Sequence, residues 1–372
     1  MNRPLRIVHT ENSCGWGGQE IRILTEMRGM LDRGHQLTLL CPREAAIHDA
    51  AIKLGIPTVA LPIARKKLGG VLAMRGWLAQ HGSEVDVINC HSSTDSWLSA
   101  TASTLLAKAP PIVRTRHVST AVNNAATTRW LYLKATRHIV TTGERLRQQL
   151  HRDNGYPLEH MTSIPTGIDL DRYQPRPRTE MRAELGLPER PTLGIVATLR
   201  GWKGHQYLFD AWRELQQRFP DWQLVVVGHG PQWEALNQRA RDEGFGERVR
   251  FVGNRDDVEK WLGAFDLFVL PSWGNEGVPQ GIMQAMATGL PVVSTTVGAI
   301  DEAVAADETG FLVGPRDAVA LTAALDRLMG NEALRRQFGE AGLQRARRQF
   351  GLDHMLDRML TVFEAACAGT ER

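Results

Sequence analysis

Apolar positions along the chain fall into short runs separated by longer stretches of helical period. Leu5–His9, Gln36–Cys41, Val85–Cys90, Pro111–Arg116 and His138–Thr142 are short enough to be buried strands, and Gln19–Arg33 between the first two has the spacing of an amphipathic helix. Such alternation predicts a parallel sheet with helices on both faces. The pattern restarts after Ile164–Arg178, rich in Pro, Gly and Arg and expected to be an exposed linker. Beyond it Thr192–Thr198, Gln223–Val227, Val249–Val252, Leu267–Leu270 and Pro291–Ser294 predict a second sheet. The expected fold class is α/β: two doubly wound Rossmann-like domains, residues 1–168 and 169–350, facing across a cleft lined by the carboxyl ends of both sets of strands.

Composition narrows the class. With 42% hydrophobic and 23% charged residues over 372 positions, the chain is neither disordered nor fibrous. Its longest apolar runs fall far short of the ~18 residues a spanning helix needs. The first ten residues turn polar too soon for a secretory signal, and Cys14, Cys41, Cys90 and Cys367 form no CxxC pair, so a reducing, cytoplasmic setting is expected. The formal charge is +3, but residues 1–170 carry 20 Lys and Arg against 13 Asp and Glu, leaving 24 against 28 for the rest. A basic first half suits an anionic partner and equally suits ordinary surface variation.

Candidate chemistry begins with Cys14-Gly-Trp-Gly-Gly-Gln-Glu20, which follows the first strand and opens a helix. Bare amides there favour a phosphate, although a tight turn would need the same glycines. The cluster is not GxGxxG, so a dinucleotide fingerprint is not met and a dehydrogenase is disfavoured. The most informative stretch is Leu270–Ser294, where a strand ends, a polar loop holds Glu276, and a helix runs from Pro279 to Gly289.

That stretch is similar to the signature of retaining glycosyltransferases of the GT-B fold, glycosyltransferase family 4, in which two glutamates separated by seven residues flank a Gly-Phe-Pro segment. Further likenesses run in order: the Gly-Trp-Gly-Gly loop, Arg116-His117, Ile164-Pro-Thr-Gly-Ile-Asp169, Lys203-Gly204, Val227-Gly-His-Gly-Pro231 and Val297-Gly-Ala-Ile-Asp-Glu302. The resemblance implies an acceptor-binding first domain, a nucleotide-sugar-binding second domain, and a last helix, residues 351–372, that crosses back to the first.

It also implies roles. Glu276 would bond a hydroxyl of the donor sugar, with Gly277 leaving room for the ring and Val278 beside it in the donor site. Gln284 stands where the family has its second glutamate on the ribose, so that contact would be made by an uncharged amide. Lys203 would meet the diphosphate. The family arginine five residues earlier is Thr198 here, and Arg200 is expected to replace it. His117 would touch the transferred sugar. Gly17, Gly18, Gly228, Gly230, Asn254, Arg255, Gly298 and Glu302 would complete the donor site, although turn chemistry also explains the glycines and a helix N-terminus explains Glu302.

The implied reaction is metal-independent, retaining transfer of a hexose from a nucleotide-diphosphate sugar, a UDP-sugar first, to a hydroxyl of a bacterial surface glycan or glycolipid such as lipopolysaccharide core. No cofactor and no metal is expected. The alternatives are an epimerase of the same fold and a non-catalytic sugar-nucleotide or glycan binder, in which Gln284 and Thr198 would mark decay. Between Thr128 and Gln149, Trp130, Leu131, Tyr132 and Leu133 mix with Arg129, Lys134, Arg137, Arg145 and Arg147. An interfacial helix on the anionic inner membrane would look like this, as would a core-facing helix with a basic side. Nucleic acid is not expected as a partner, since no RNP, KH or zinc pattern accompanies the charge.

Overall fold

The computed structural model describes residues 3–274 and 276–368. The chain divides into two compact units: the first holds residues up to Gly167 together with the segment from Leu352, and the second runs from Ile168 to Gly351.

In the first unit seven parallel strands form one sheet in the order β3-β2-β1-β4-β5-β6-β7. They are β1 (Arg6–Thr10), β2 (Gln36–Cys41), β3 (Thr58–Ala60), β4 (Val87–Cys90), β5 (Ile112–Arg116), β6 (His138–Thr141) and β7 (Met161–Ser163). Neighbouring residues of each strand enter opposite cores, which is why the strands read as continuous apolar runs rather than alternating ones. Ile7, Leu39, Val87, Val113 and Val140 pack with the helices Gly18–Asp32 and Leu352–Ala368. Val8, Leu40, Ile88, Ile112 and Ile139 pack on the other face with Met74, Leu98, Leu146 and Leu150 from three further helices. The helix Leu352–Ala368 is intimate with this unit: a Cβ at Gly29 would lie 2.5 Å from Leu356, and Arg33 pairs with Asp353 and Asp357 at 2.8 and 2.7 Å.

The second unit has six parallel strands in the order β10-β9-β8-β11-β12-β13. These are β8 (Thr192–Val196), β9 (Gln223–Val227), β10 (Val249–Gly253), β11 (Leu267–Leu270), β12 (Val292–Thr295) and β13 (Gly310–Val313). Its core is a single cluster around fully buried Trp212, Phe209, Phe265 and Phe268. Gly194 in β8 is a point of very close approach, since a Cβ there would stand 2.0 Å from the Phe265 ring.

Two expectations need correction. The stretch 164–178 is an exposed linker only in its second part: Ile164, Thr166, Ile168 and Tyr173 are buried and a Cβ at Gly167 would sit 2.7 Å from the Leu352 backbone, whereas Asp169, Asp171, Arg172, Gln174, Pro175, Pro177 and Arg178 are exposed. Nor is 128–149 one amphipathic helix. Residues Ala126–Trp130 and Leu131–Ala135 make two short helical turns, β6 follows, and a separate helix spans Glu144–Asn154. The β-branched pair Ile139-Val140 is fully buried in the sheet, Leu131 and Tyr132 are buried, and Trp130 and Leu133 pack half-buried against the same core, as the core-facing reading expects. Among the described residues no helix is long and apolar enough to cross a membrane.

Candidate active site

In each sheet the strand order reverses once, between β1 and β4 and between β8 and β11. Ligands of open parallel sheets bind outside the carboxyl ends of the strands at such a reversal. The loops leaving those strand ends hold most of the candidate residues.

In the second unit the loop after β8 carries Arg200 and Lys203, and the loop after β11 carries Ser272 and Glu276. Lys203 Nζ donates to Glu276 Oε1 at 2.6 Å, and the Ser272 hydroxyl donates to the same oxygen at 2.6 Å. The Glu276 side chain is 6% exposed and that of Lys203 20%, so the pair is largely withdrawn from water. Backbone sterics hold it in place. Gly298, at φ +61°, would place a Cβ 2.1 Å from the Glu276 carbonyl oxygen, and Gly204, at φ +78°, would place one 1.9 Å from the carbonyl oxygen of Pro271. Trp273 ties the two loops together, its amide donating to Trp202 O at 2.8 Å and its indole N–H to Gly201 O at 2.9 Å. Three donors on one ammonium leave Lys203 able to hold Glu276 and still meet an anion.

The remaining donor-site candidates of this unit lie apart from the pair in their contacts. Arg200 is exposed, its guanidinium 5.1 Å from the Trp202 ring centroid, and Thr198 beside it is exposed as well. Arg255 is engaged by Asp257 through two bonds of 2.9 Å, and Asn254 is exposed. Gly228 and Gly230 fit under the backbone of Ala197 and Leu199, where a Cβ would lie 2.0 and 2.8 Å away. The Glu302 carbonyl accepts from Arg345 at 2.8 Å. Gly277 and Val278 stand between Glu276 and the helix Gln280–Ala287, with Val278 buried. Glu276 precedes that helix, so it does not share a helical face with Gln284. The Gln284 side chain instead bonds the buried Tyr173, whose hydroxyl burial pushes above its ordinary range. Arg316, which sequence reading overlooked, stacks 4.1 Å from the Trp273 ring centroid in the loop after β13, adding a cation at the same sheet edge.

In the first unit Gly17 caps the helix Gly18–Asp32 in extended backbone, φ −178°, which needs no glycine for its own sake. The loop before it is organised by Glu11, whose carboxylate accepts from Ser13 N and Ser92 Oγ, each at 2.7 Å, and from Gln19 Nε2. Burial pushes the Glu11 carboxyl up. Asp95 accepts from Thr10 Oγ1 at 2.7 Å and from the amides of His91 and Ser92 at 2.9 Å; burial and the neighbouring Glu11 charge push it up as well. His117, just past β5, is not isolated: its Nε2 lies 2.9 Å from His91 Nδ1, and His91 Nε2 lies 2.8 Å from His9 Nδ1. Burial, with the nearby Arg22 charge, holds His9 down to about 3 and His91 and His117 well below the ordinary imidazole range, so all three rings are neutral. Sequence reading found His117 alone. His9 and His91 also stand at the carboxyl ends of β1 and β4, and that common placement was the signal available.

A cavity of about 200 Å³ lined by Pro175, Arg178, Phe265, Gly289 and Gly339 opens where β11 and β12 begin, at the sheet edge opposite to these residues. Among the described residues no group of three or more His, Cys, Asp and Glu side chains is placed to hold a metal ion.

Residues 16–172 match the family profile "Glycosyltransferase Family 4" and residues 190–331 match "Glycosyl transferases group 1". A D-inositol 3-phosphate glycosyltransferase of Corynebacterium efficiens is 30% identical over 75% of this chain and 70% of its own length. The chain belongs to glycosyltransferase family 4. Other relatives are the lipopolysaccharide core biosynthesis mannosyltransferase LpsB of Rhizobium meliloti, 33% identical over 55% of this chain and 60% of its own length, and a phosphatidyl-myo-inositol mannosyltransferase of Mycobacterium tuberculosis, 29% identical over 94% and 93%. Among solved structures a glycosyltransferase from Rickettsia africae superposes with a TM-score of 0.88 at 19% identity, covering 98% of both chains. Anabaena HepE in complex with UDP and glucose gives 0.83 at 21%, covering 97% of this chain and 99% of that one. These likenesses make this glycosyltransferase a member of the GT-B fold.

Proposed function

We propose that this glycosyltransferase transfers a hexose, with retention and without a metal ion, from a nucleotide-diphosphate sugar to a hydroxyl of a bacterial surface glycan or glycolipid. The observation that carries the reading is the largely buried Lys203–Glu276 pair at the β8/β11 reversal, a cation and an anion at 2.6 Å in the loops where a ligand of this sheet would lie. Lys203 is assigned to the diphosphate, where negative charge grows as the sugar departs. Its release from Glu276 frees that carboxylate to accept from a sugar hydroxyl, so one ion pair becomes two ligand contacts. Arg200 and Arg316 flank the same edge and supply the charge a metal would otherwise bring. His117 is assigned to a hydroxyl of the transferred sugar, and Gln284 to the ribose. No side chain is nominated as a nucleophile; the departing phosphate would take the acceptor proton on the face it leaves. The names of the Rhizobium and Mycobacterium relatives support mannose as the hexose and a lipid-linked or lipopolysaccharide acceptor. The buried thiols Cys41 and Cys90, outside any disulfide, suit the cytoplasm.

A thermal-shift series with UDP-glucose, GDP-mannose and ADP-glucose tests donor choice, because a ligand at 100 times its Kd stabilises by about 2.7 kcal/mol. Sugar release or transfer from the donor so found should persist in EDTA. Activity lost on chelation and restored by Mg²⁺ or Mn²⁺ would overturn metal independence, and an anomerically inverted product would overturn retention.

A further inference from the structure

The histidines at the carboxyl ends of β1, β4 and β5 form a continuous chain, buried at His9 and His91 and half-buried at His117, that the proposed reaction does not require. His9 and His91 are at most 3% exposed, and their rings stack with centroids 5.0 Å apart. Behind His9 lies Glu26, fully buried on the helix Gly18–Asp32, its Oε1 3.8 Å from His9 Nε2. The groups facing this chain are Arg22 and Glu26 from that helix, Asn89 from β4, Phe363 from the helix Leu352–Ala368, and Asp95, which holds the His91 amide. Three buried polar atoms here have no hydrogen-bond partner among the described residues: His9 Nε2, Glu26 Oε2 and Arg22 Nε. Such orphans are costly in an interior unless the groups serve a purpose beyond packing.

A neutral imidazole carries one N–H, donating at one ring nitrogen and accepting at the other. In a chain of three such rings, fixing the tautomer of one fixes all. The starting point is set by Asn89. Thr115 Oγ1 donates to Asn89 Oδ1 at 2.8 Å, which turns the Asn89 NH₂ toward Glu26 Oε1 at 3.3 Å. Glu26 Oε1 is therefore an acceptor, and although it lies 3.8 Å from His9 Nε2, beyond hydrogen-bond reach, its negative potential favours the N–H on that nitrogen. His9 Nδ1 then accepts from His91 Nε2–H, and His91 Nδ1 accepts from His117 Nε2–H. What remains at the far end is His117 Nδ1 as a lone pair, suited to accept from a hydroxyl.

We propose that Glu26, His9 and His91 form a tautomeric relay that makes Nδ1 of His117 a hydrogen-bond acceptor, and that protonation of Glu26 reverses the relay and turns the same nitrogen into a donor. Burial pushes the Glu26 carboxyl up to about 7, so the reversal falls near neutrality. Glu26, His9 and His91 are positioning residues that act through His117; the consequence for catalysis rests on the assignment of His117 to a sugar hydroxyl, whereas the relay itself does not.

Nitrogen NMR of ¹⁵N-histidine-labelled protein without donor tests the relay, with His117→Gln to assign the signal. The expected wild-type result above neutral pH is a protonated Nε2 and an unprotonated Nδ1 on His117, exchanging roles as Glu26 is protonated. Glu26→Gln, whose amide oxygen can still accept from Asn89 and still faces His9 Nε2, should keep the high-pH tautomer and lose its pH dependence. Glu26→Leu should leave His117 with both tautomers populated and lower kcat for transfer roughly tenfold with KM little changed, the effect of losing one neutral hydrogen bond at the reacting sugar. A His117 tautomer that stays constant while Glu26 titrates in the wild type overturns the relay, and this measurement decides even if Glu26→Leu fails to fold. A His117→Gln enzyme of undiminished rate would instead sink the catalytic assignment and leave the relay standing.

Discussion

Lys203→Ala removes the partner of a carboxylate that is 6% exposed. Breaking a fully buried pair by deleting one member costs about 3–5 kcal/mol, because the abandoned charge stays desolvated. Lys203 itself keeps a fifth of its side-chain surface, and Ser272 still donates to Glu276 Oε1, which brings the expected loss to about 2–3 kcal/mol. For a unit of this size that is a fall of roughly 4–12 °C in Tm. The diagnostic step is the double variant. Glu276→Gln removes the stranded charge while its amide still meets the Ser272 hydroxyl, so Lys203→Ala/Glu276→Gln should be more stable than Lys203→Ala by about 1–2 kcal/mol. Turnover should not follow stability. Both variants lose the cation at the leaving diphosphate and should fall on the order of 10²-fold in kcat. Differential scanning fluorimetry and urea titration supply the first comparison, and donor hydrolysis supplies the second. Equal stability of Lys203→Ala and the double variant would show that Glu276 is not held as a buried charge; near-native turnover of Lys203→Ala would take the residue out of the reaction.

Gln284→Ala should weaken nucleoside-diphosphate binding by about 1–2 kcal/mol in calorimetry if the amide reaches the ribose; an unchanged affinity would confine Gln284 to a structural role, that of holding the Tyr173 side chain. Gly298→Ala combines a left-handed backbone with a Cβ 2.1 Å from the Glu276 carbonyl and should cost about 3 kcal/mol or more in thermal denaturation. For pH, Glu26 has a folded-state pKa raised from 4.5 to about 7, so the folded state retains a proton that the unfolded chain has lost, and Glu26 makes stability fall as pH rises through that window. His9, lowered from 6.5 to about 3, tilts the other way, its contribution being lost as pH falls from 6.5 toward 3. Glu26→Gln should therefore steepen the rise of stability between pH 4.5 and 7 by about 1.4 kcal/mol per unit, read by urea titration at fixed pH values; a parallel curve would mean that Glu26 is not buried in its titratable form.

The doubly wound architecture was legible because a strand buried on both faces announces itself as an unbroken apolar run. β3 and β7, three residues each at the sheet edges, were missed because they carry too few apolar positions to stand out; β13, also at an edge, was missed although Phe311-Leu312-Val313 is an apolar run. Lys203 and Glu276 were legible through a motif, but their direct bond was not, since 73 positions of sequence separate residues that strand order makes neighbours. The opposite error occurred at residues 128–149, where the right side chains suggested one continuous amphipathic surface. The strand that interrupts them was itself legible as the apolar run His138–Thr142, and Ile139-Val140 are buried in it. Arg316 escaped because nothing local distinguishes it; only its loop's place at the end of β13 brings it to Trp273.

The first unit is built from both extremities of the chain, and this sets an order of events during synthesis. Met27 and Ile23 are sealed by Met355, Met359 and Phe363, residues that emerge only after the whole second unit has been translated. At roughly 5–20 residues per second, the interval from residue 168 to residue 351 lasts about 10–40 s. Throughout it the nascent first sheet presents an uncovered apolar flank, while the second unit, contiguous in sequence, needs nothing from beyond residue 351 to close. The polypeptide thus leaves the ribosome with its later half finished first, and the period of greatest exposure to chaperones and to misassociation belongs to the earlier one.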